Sequence, residues 1–245
     1  MTEFGLIGKS LKHSFSKAYF EKKFSELHLE NYAYHNFELQ HIGELPGLIA
    51  KNPALKGLNI TNPYKEQVVA LLHDVSEEAR EIGAVNCIKI TRGRLSGYNT
   101  DAYGFAQSIK PFLDTNHQRA LILGTGGAAK AVAYALKKVG VEVYFASSSA
   151  KKTEQTLMYP EINENVMNAF KLIVNTTPLG LFPNENECPP LPYHFFTKDH
   201  LAYDLIYNPE KTVFLKQAHA NGAVIMNGLS MLKLQAEKSW EIWNQ

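Results

Sequence analysis

Residues 119–140, RALILGTGGAAKAVAYALKKVG, constrain the fold more than any other part of the chain. The apolar residues Ala120 to Leu123 run without a linker into glycines, and the segment that follows repeats Val132, Leu136 and Val139 at helical spacing before Gly140 stops it. A short apolar run is a buried strand, apolar residues on one face make an amphipathic helix, and a glycine just past a helix accommodates the left-handed turn there. A strand that turns at once into a helix must recross to pair with a parallel neighbour. The same alternation recurs from one end of the 245-residue chain to the other, so the sequence predicts an α/β fold with a largely parallel sheet.

The first part reads as a strand at FGLIG, a helix near Ser16 to Leu29, a strand at YAYHNFEL, a helix near Gly43 to Ala50, a strand at GLNIT and a helix at YKEQVVALLHD. AVNCIKI and GRLSGYN follow as two short strands joined through Arg92 and Gly93 in a hairpin. In the second part, strands at VEVYFAS, KLIVNT, LAYDLIY and AVIMN come after the glycine turn. The final helix, SMLKLQAEKSWEIW, begins once that open sheet is complete and is expected to return to the first domain. The prediction is two domains, residues 1–101 with 228–245 and residues 102–227, with no internal repeat or low-complexity linker.

GTGGAA, Gly124 to Ala129, fits the pattern G-x-G-x-x-G/A. Gly124 suits a tight turn, Gly126 a close approach of backbone to a pyrophosphate, and Ala129 the packing of helix on strand; Thr125, Gly127 and Ala128 complete the loop. A glycine pattern alone is often only a tight turn, but the strand before it and the amphipathic helix after it are the context a dinucleotide site needs. An NAD site carries an acidic residue at the end of the next strand for the ribose 2′-hydroxyl, and this chain has FASSSAKK there. Ser147, Ser148 and Ser149 offer hydrogen bonds, Lys151 and Lys152 are cationic, and no carboxylate stands among them to repel a 2′-phosphate. The expected cofactor is NADP, although the segment read alone is an ordinary solvated Ser/Lys loop.

Four polar clusters stand out in the first domain: KHSFSK with Ser14 and Ser16, GLNITNPYK with Asn59, Thr61 and Lys65, GAVNC with Asn86, and GYNTDAYGF with Asn99 and Asp101. Each lies at or just beyond a strand, where open α/β sheets present their binding edge. Hydroxyls, amides, a lysine and a carboxylate suit a polyhydroxylated acid, whose hydroxyls need both donors and acceptors. Singly, each residue also has a structural reading: helix caps for Ser14, Ser16 and Asp101, turns for Asn59 and Asn86, a solvated face for Lys65. With 25 Lys+Arg against 24 Asp+Glu, the net charge of +1 gives no global field to recruit nucleic acid or a membrane, which leaves small molecules as partners. Cys87 and Cys188 lack the close spacing of a zinc or redox motif, so no metal site is predicted and both are expected as free thiols. With no basic leader and no long apolar run, the expected location is the cytoplasm.

The segments HSFS, GLNITNPYKE, GAVNCI, GYNTDAYGF, LGTGGAAKA, VNTTPLG, DLIYNP and GLSMLKLQ occur in that order from His13 to Gln235. Together they make the sequence resemble the shikimate dehydrogenase family, whose members interconvert 3-dehydroshikimate and shikimate with NADP(H). The resemblance implies an N-terminal α/β substrate domain and a Rossmann-like doubly wound NADP domain. It implies that Ser14, Ser16, Thr61, Asn86, Asp101, Tyr207 and Gln235 contact shikimate, that Asn59 lines the same pocket, and that Lys65 and Asp101 are the catalytic pair. Gly124 to Ala128 and Ser147 to Lys152 would hold NADP, Gly228 would lie near the nicotinamide, and Leu205 and Glu77 would also touch cofactor. The sequence departs from the family at Ser10 and Lys17, where members usually have proline, and at SSS, where the usual Asn-Arg-Thr supplies an arginine to adenine and 2′-phosphate. By that departure, NADP preference rests on Lys151 or Lys152.

Reduction of a ring ketone needs an acid within hydrogen-bond reach of the developing alkoxide. Lys65 is the candidate, with Asp101 orienting its ammonium and bonding a substrate hydroxyl. A quinate or quinate/shikimate dehydrogenase using NAD(P) is the alternative enzyme. A nucleotide-dependent binding or regulatory protein is the alternative of another class, and it has no use for an intact Lys65 and Asp101. A monomer or homodimer is expected.

Overall fold

Strand β1 (Thr2–Gly8) is the organising strand of a first sheet, because its run from Phe4 to Gly8 is buried throughout and pairs in parallel with a neighbour on each side. The computed structural model describes residues 1–12, 14–149 and 153–245. It divides into two compact units, Met1–Thr100 with Ala236–Gln245, and Asp101–Gln235. In the first, β1 is followed by α1 (Phe15–Glu26), β2 (Tyr32–Glu38), α2 (Leu45–Lys51), β3 (Leu55–Ile60), β4 (Asp74–Val75), α3 (Glu77–Ile82), β5 (Cys87–Thr91) and β6 (Arg94–Tyr98). The sheet order is β2-β1-β3-β5-β6-β4. β5 runs antiparallel to β3 and to β6, so this sheet is mixed where the apolar alternation suggested a largely parallel one. The cause is the hairpin: Arg92 and Gly93 sit at φ 50° and 79°, the pair of positive values that a two-residue turn needs to reverse the chain.

The segment YKEQVVALLHD is helical over only part of its expected length. The Lys65 carbonyl accepts from Val85 N at 2.8 Å, which takes it out of any α-helical ladder, and the chain makes a short 3-10 helix at Gln67–Leu71 in place of a longer α-helix. His73 N then bonds Leu95 O at 3.0 Å, and β4 joins the sheet edge beside β6. Helix α3, which follows, is capped by Ser76 accepting from Ala79 N at 3.2 Å and ends on Gly83 at φ 74°.

The second unit begins along α4 (Thr100–Ile109) and contains β7 (Arg119–Leu123), α5 (Gly127–Lys138), β8 (Glu142–Ser147), β9 (Thr156–Met158), α6 (Glu164–Ala169), β10 (Leu172–Asn175), β11 (Leu201–Asp204), α7 (Val213–Ala220), β12 (Val224–Met226) and the start of α8 (Leu229–Asn244). Its strands are all parallel in the order β12-β11-β10-β7-β8-β9. Counted from β7, this is the doubly wound order, and the direction of winding reverses between β7 and β10. Strands β7 and β10 are buried almost end to end, as expected of strands covered on both faces.

The C-terminal helix is shared by sequence between the units. Up to Gln235 it clusters with the second, because α4 approaches it without a side chain at Gly104, where a Cβ would lie 2.6 Å from Met231 O and 3.0 Å from Gln235 Cβ. The expected second segment of the first domain starts at residue 228, whereas the first unit takes up the chain again at Ala236. There Trp243 stacks on Phe4 at 4.7 Å and donates to Ile88 O at 3.0 Å, with Gly57 leaving the room that its indole fills. Among the described residues no helix is long and apolar enough to cross a membrane.

Candidate functional site

In the second unit, the chain leaves β7 through Gly124 at φ 106°, a conformation that favours glycine; a Cβ there would also lie 2.8 Å from Thr176 Oγ1. Gly126 differs. Its φ of −76° is open to any residue and a Cβ would meet nothing within 4 Å, so nothing in the chain's own packing calls for glycine there. The position opens onto free space in front of the helix that follows. Helix α5 starts at the next residue with no side-chain cap and no acidic residue in its first turn, so its N-terminal N–H groups and positive dipole end keep their capacity for an anion. Ala129, Val132 and Leu136 are buried against the unit, holding that helix start at the switch point beside the end of β10. Gly124 to Ala128 thus fit a dinucleotide pyrophosphate on the geometry of the loop itself.

Around this loop, Ser148 and Ser149 are exposed, while Ser147 is buried and its hydroxyl accepts from Ser149 N at 3.3 Å, forming the turn. Lys151 and Lys152 lie outside the described residues. Leu205 N donates to Asn175 O at 3.0 Å, and Gly228 is pressed against Leu205, where a Cβ would be 2.0 Å from Leu205 O. Tyr207 is half-buried in the turn after β11. Glu77 belongs to the first unit, exposed in the first turn of α3, where a carboxylate favours the helix dipole.

In the first unit the mixed sheet gathers polar residues at one edge. β3 ends where antiparallel β5 begins, since Asn59 faces Cys87, and β5 begins where β6 ends, since Cys87 faces Tyr98. Thr61, Asn86 and Asn99 therefore sit side by side, and β1 ends at the same edge with Ile7 facing Ile60. From that edge the chain reaches α1, whose N-cap Ser14 makes no side-chain cap bond and whose hydroxyl is buried without a partner. Ser16 is half-buried, as is Lys65, which follows the turn after β3. Asn99 donates to Ala84 O at 2.9 Å, and Thr100 N donates to Asn86 Oδ1 at 2.6 Å. These bonds hold Thr100, the first residue of α4; Asp101, 6% exposed, falls just inside the second unit together with Gln235. Gln235 is buried on α8, donating to Leu232 O at 3.0 Å.

Beneath the edge runs a buried side-chain network that the sequence reading missed in part. Tyr34 Oη donates to Asn59 Oδ1 at 2.8 Å, and Asn59 Nδ2 donates to Ser239 Oγ at 2.9 Å and Asn86 O at 3.3 Å. The Ser239 and Thr100 hydroxyls are hydrogen-bonded to each other at 3.2 Å, and Asn86 Nδ2 donates to Thr100 Oγ1 at 3.0 Å. Both amide hydrogens of Asn59 are spent inside the protein, so it braces Asn86 rather than offering a donor outward. Burial pushes the Tyr34 phenol well above its usual range, opposed by a hydrogen bond with Ser16, so it works as a neutral donor. Ser239 lies one turn beyond Gln235 on α8, a spacing visible in the sequence; Tyr34 carried no signal beyond its strand.

The model of the shikimate dehydrogenase substrate binding domain matches residues 6–88, which hold most of this polar edge. The shikimate dehydrogenase (NADP(+)) of Carboxydothermus hydrogenoformans is 41% identical over 256 residues, covering 98% of this chain and 90% of that protein. The chain belongs to the shikimate dehydrogenase family. Crystal structures agree: shikimate 5-dehydrogenase from Thermus thermophilus in complex with NADP(H) and shikimate has a TM-score of 0.85 at 34% identity, covering 99% of this chain and 93% of that one. Quinate dehydrogenase from Corynebacterium glutamicum in complex with NAD has a TM-score of 0.86 at 30% identity, with the same coverage. The second unit has the doubly wound strand order of the Rossmann-like fold expected from the sequence.

Proposed function

We propose that the protein reduces 3-dehydroshikimate to shikimate with NADPH, reversibly, as a step in the shikimate pathway of aromatic amino acid biosynthesis. The observation that carries this is the glycine turn at the switch point, where Gly126 leaves unfilled space in front of an uncapped helix, in a chain of this family. Gly124 to Ala128 hold the pyrophosphate, and Ser148, Ser149, Lys151 and Lys152 take the 2′-phosphate end, with Leu205 and Gly228 toward the nicotinamide. The bound nicotinamide supplies the hydride chemistry. Lys65 gives a proton to the substrate carbonyl oxygen as it becomes an alkoxide, and Asp101 orients the ammonium and accepts from a substrate hydroxyl. Ser14, Ser16, Thr61, Asn86, Tyr207 and Gln235 bind the carboxylate and remaining hydroxyls, and fix the ring for transfer.

The first domain is assigned to substrate and the second to cofactor, with the enzyme working in the cytoplasm as a monomer or homodimer on small molecules alone. The test is loss of NADPH absorbance on adding 3-dehydroshikimate, repeated in reverse with shikimate or quinate and NADP+ or NAD+. Turnover with shikimate and NADP+ above the other combinations is expected. Preference for quinate with NAD+ would transfer the assignment to quinate dehydrogenase, and no turnover with any pair would leave a nucleotide-binding protein.

A further inference from the structure

Asp204, the last residue of β11, is fully buried. Its Oδ1 accepts from Asn175 Nδ2 at 3.1 Å and from Ile206 N at 3.0 Å, and its Oδ2 accepts from Thr212 Oγ1 at 2.6 Å. These donors come from the end of β10, the turn after β11 and the N-cap of α7. The links continue outward: Asn175 Oδ1 accepts from Thr177 N at 3.0 Å and Thr177 Oγ1 at 2.7 Å, and Asn175 O accepts from Leu205 N at 3.0 Å. Ile206 O accepts from Gly228 N at 3.1 Å, and Thr176, beside Asn175, stands over Gly124.

The donors reaching this carboxylate are neutral, and burying a charge without a countercharge is costly, so stability alone does not account for an acid here. What it does uniquely well is accept from all of these donors without adding one of its own; asparagine would face Thr212 with an N–H. The turn Leu205–Tyr207, the Thr176–Thr177 segment and Gly228 are therefore held as one piece beside the glycine loop. We propose that Asp204 is a positioning residue that sets the nicotinamide end of the dinucleotide site. This rests on reading the second unit as the NADP domain.

The test compares NADPH with 2′,5′-ADP, which has the adenosine end and no nicotinamide, by calorimetric titration of the full-length protein and of Asp204→Asn and Thr212→Val. For Asp204→Asn, affinity for NADPH should fall about tenfold, the equivalent of one charge-assisted hydrogen bond, while affinity for 2′,5′-ADP stays at the wild-type value. In turnover, KM for the dinucleotide should rise and KM for shikimate should not. Unchanged NADPH affinity, or equal losses for both nucleotides, would overturn the assignment. If Asp204→Asn does not fold, Thr212→Val, which removes the donor to Asp204 together with the cap that accepts from Leu215 N, decides by the same comparison: a loss confined to NADPH supports the role, while an equal loss or none overturns it. A wild-type protein that binds both nucleotides but turns over no shikimate would remove the dehydrogenase reading and leave this comparison standing. One that binds neither would remove both.

Discussion

Replacing Asp204 by asparagine should make the protein more stable at neutral pH, and by an amount that depends on pH in a calculable way. Burial is the largest influence on the Asp204 carboxyl and pushes it up from 3.8 to about 6, against the opposing pull of Thr212, the Ile206 amide and Asn175. A folded-state value above the unfolded one means that folding takes up a proton between them. The stability tied to the protonated form is complete below pH 3.8 and is lost as pH rises through about 6. A shift of about two units at about 1.4 kcal/mol each makes the ionised carboxylate cost about 3 kcal/mol at pH 8. Asparagine keeps the shape and does not titrate, so the difference between variant and wild type should be small at pH 4 and widen by about 2–3 kcal/mol toward pH 8. Urea unfolding of both proteins across that range measures it directly, because the other titrating groups cancel in the difference. A variant that is equally or less stable at pH 8, with no trend, would refute the reasoning. It would mean that the donors stabilise the charge by more than burial destabilises it.

Lys65→Met should lower kcat by about 10²–10⁴-fold with little change in shikimate KM, measured by NADPH absorbance, if Lys65 is the proton donor. Gly126→Ala should leave urea stability within about 0.5 kcal/mol, since its Cβ meets nothing, yet clearly weaken NADPH in a direct titration. A stability loss with intact binding would mean that the turn, not the ligand, needs that glycine. Tyr34→Phe keeps the ring stacked on Phe20 at 4.7 Å but leaves Asn59 Oδ1 without its donor, at a cost of about 1–3 kcal/mol in unfolding and a higher shikimate KM through Asn86. Wild-type values for both would detach the buried network from the site.

The strand, glycine turn and helix over residues 119–138 were determined by the sequence itself, because each signal there is local: apolar run, turn chemistry and helical spacing lie within one stretch of chain. The hairpin at Arg92 and Gly93 is of the same kind. Helices α3 and α6, of 6 residues each, offer too few turns for a periodic signal to show in the sequence. At YKEQVVALLHD a helical pattern was present and tertiary pairing cut it to a 3-10 helix at Gln67–Leu71: the Lys65 carbonyl was taken by Val85, and the edge of β6 drew residues 73–75 into the sheet. The brace under the polar edge was equally out of reach, since its bonds join residues 25, 139 and 180 positions apart. Asn59, Asn86 and Asp101 could be named from sequence as candidates. That Asn59 turns inward to Tyr34 and Ser239, and that the acid closing β11 is buried among neutral donors, was decided only when distant segments came together, because burial and hydrogen-bond partnership are properties of neighbours in space rather than along the chain.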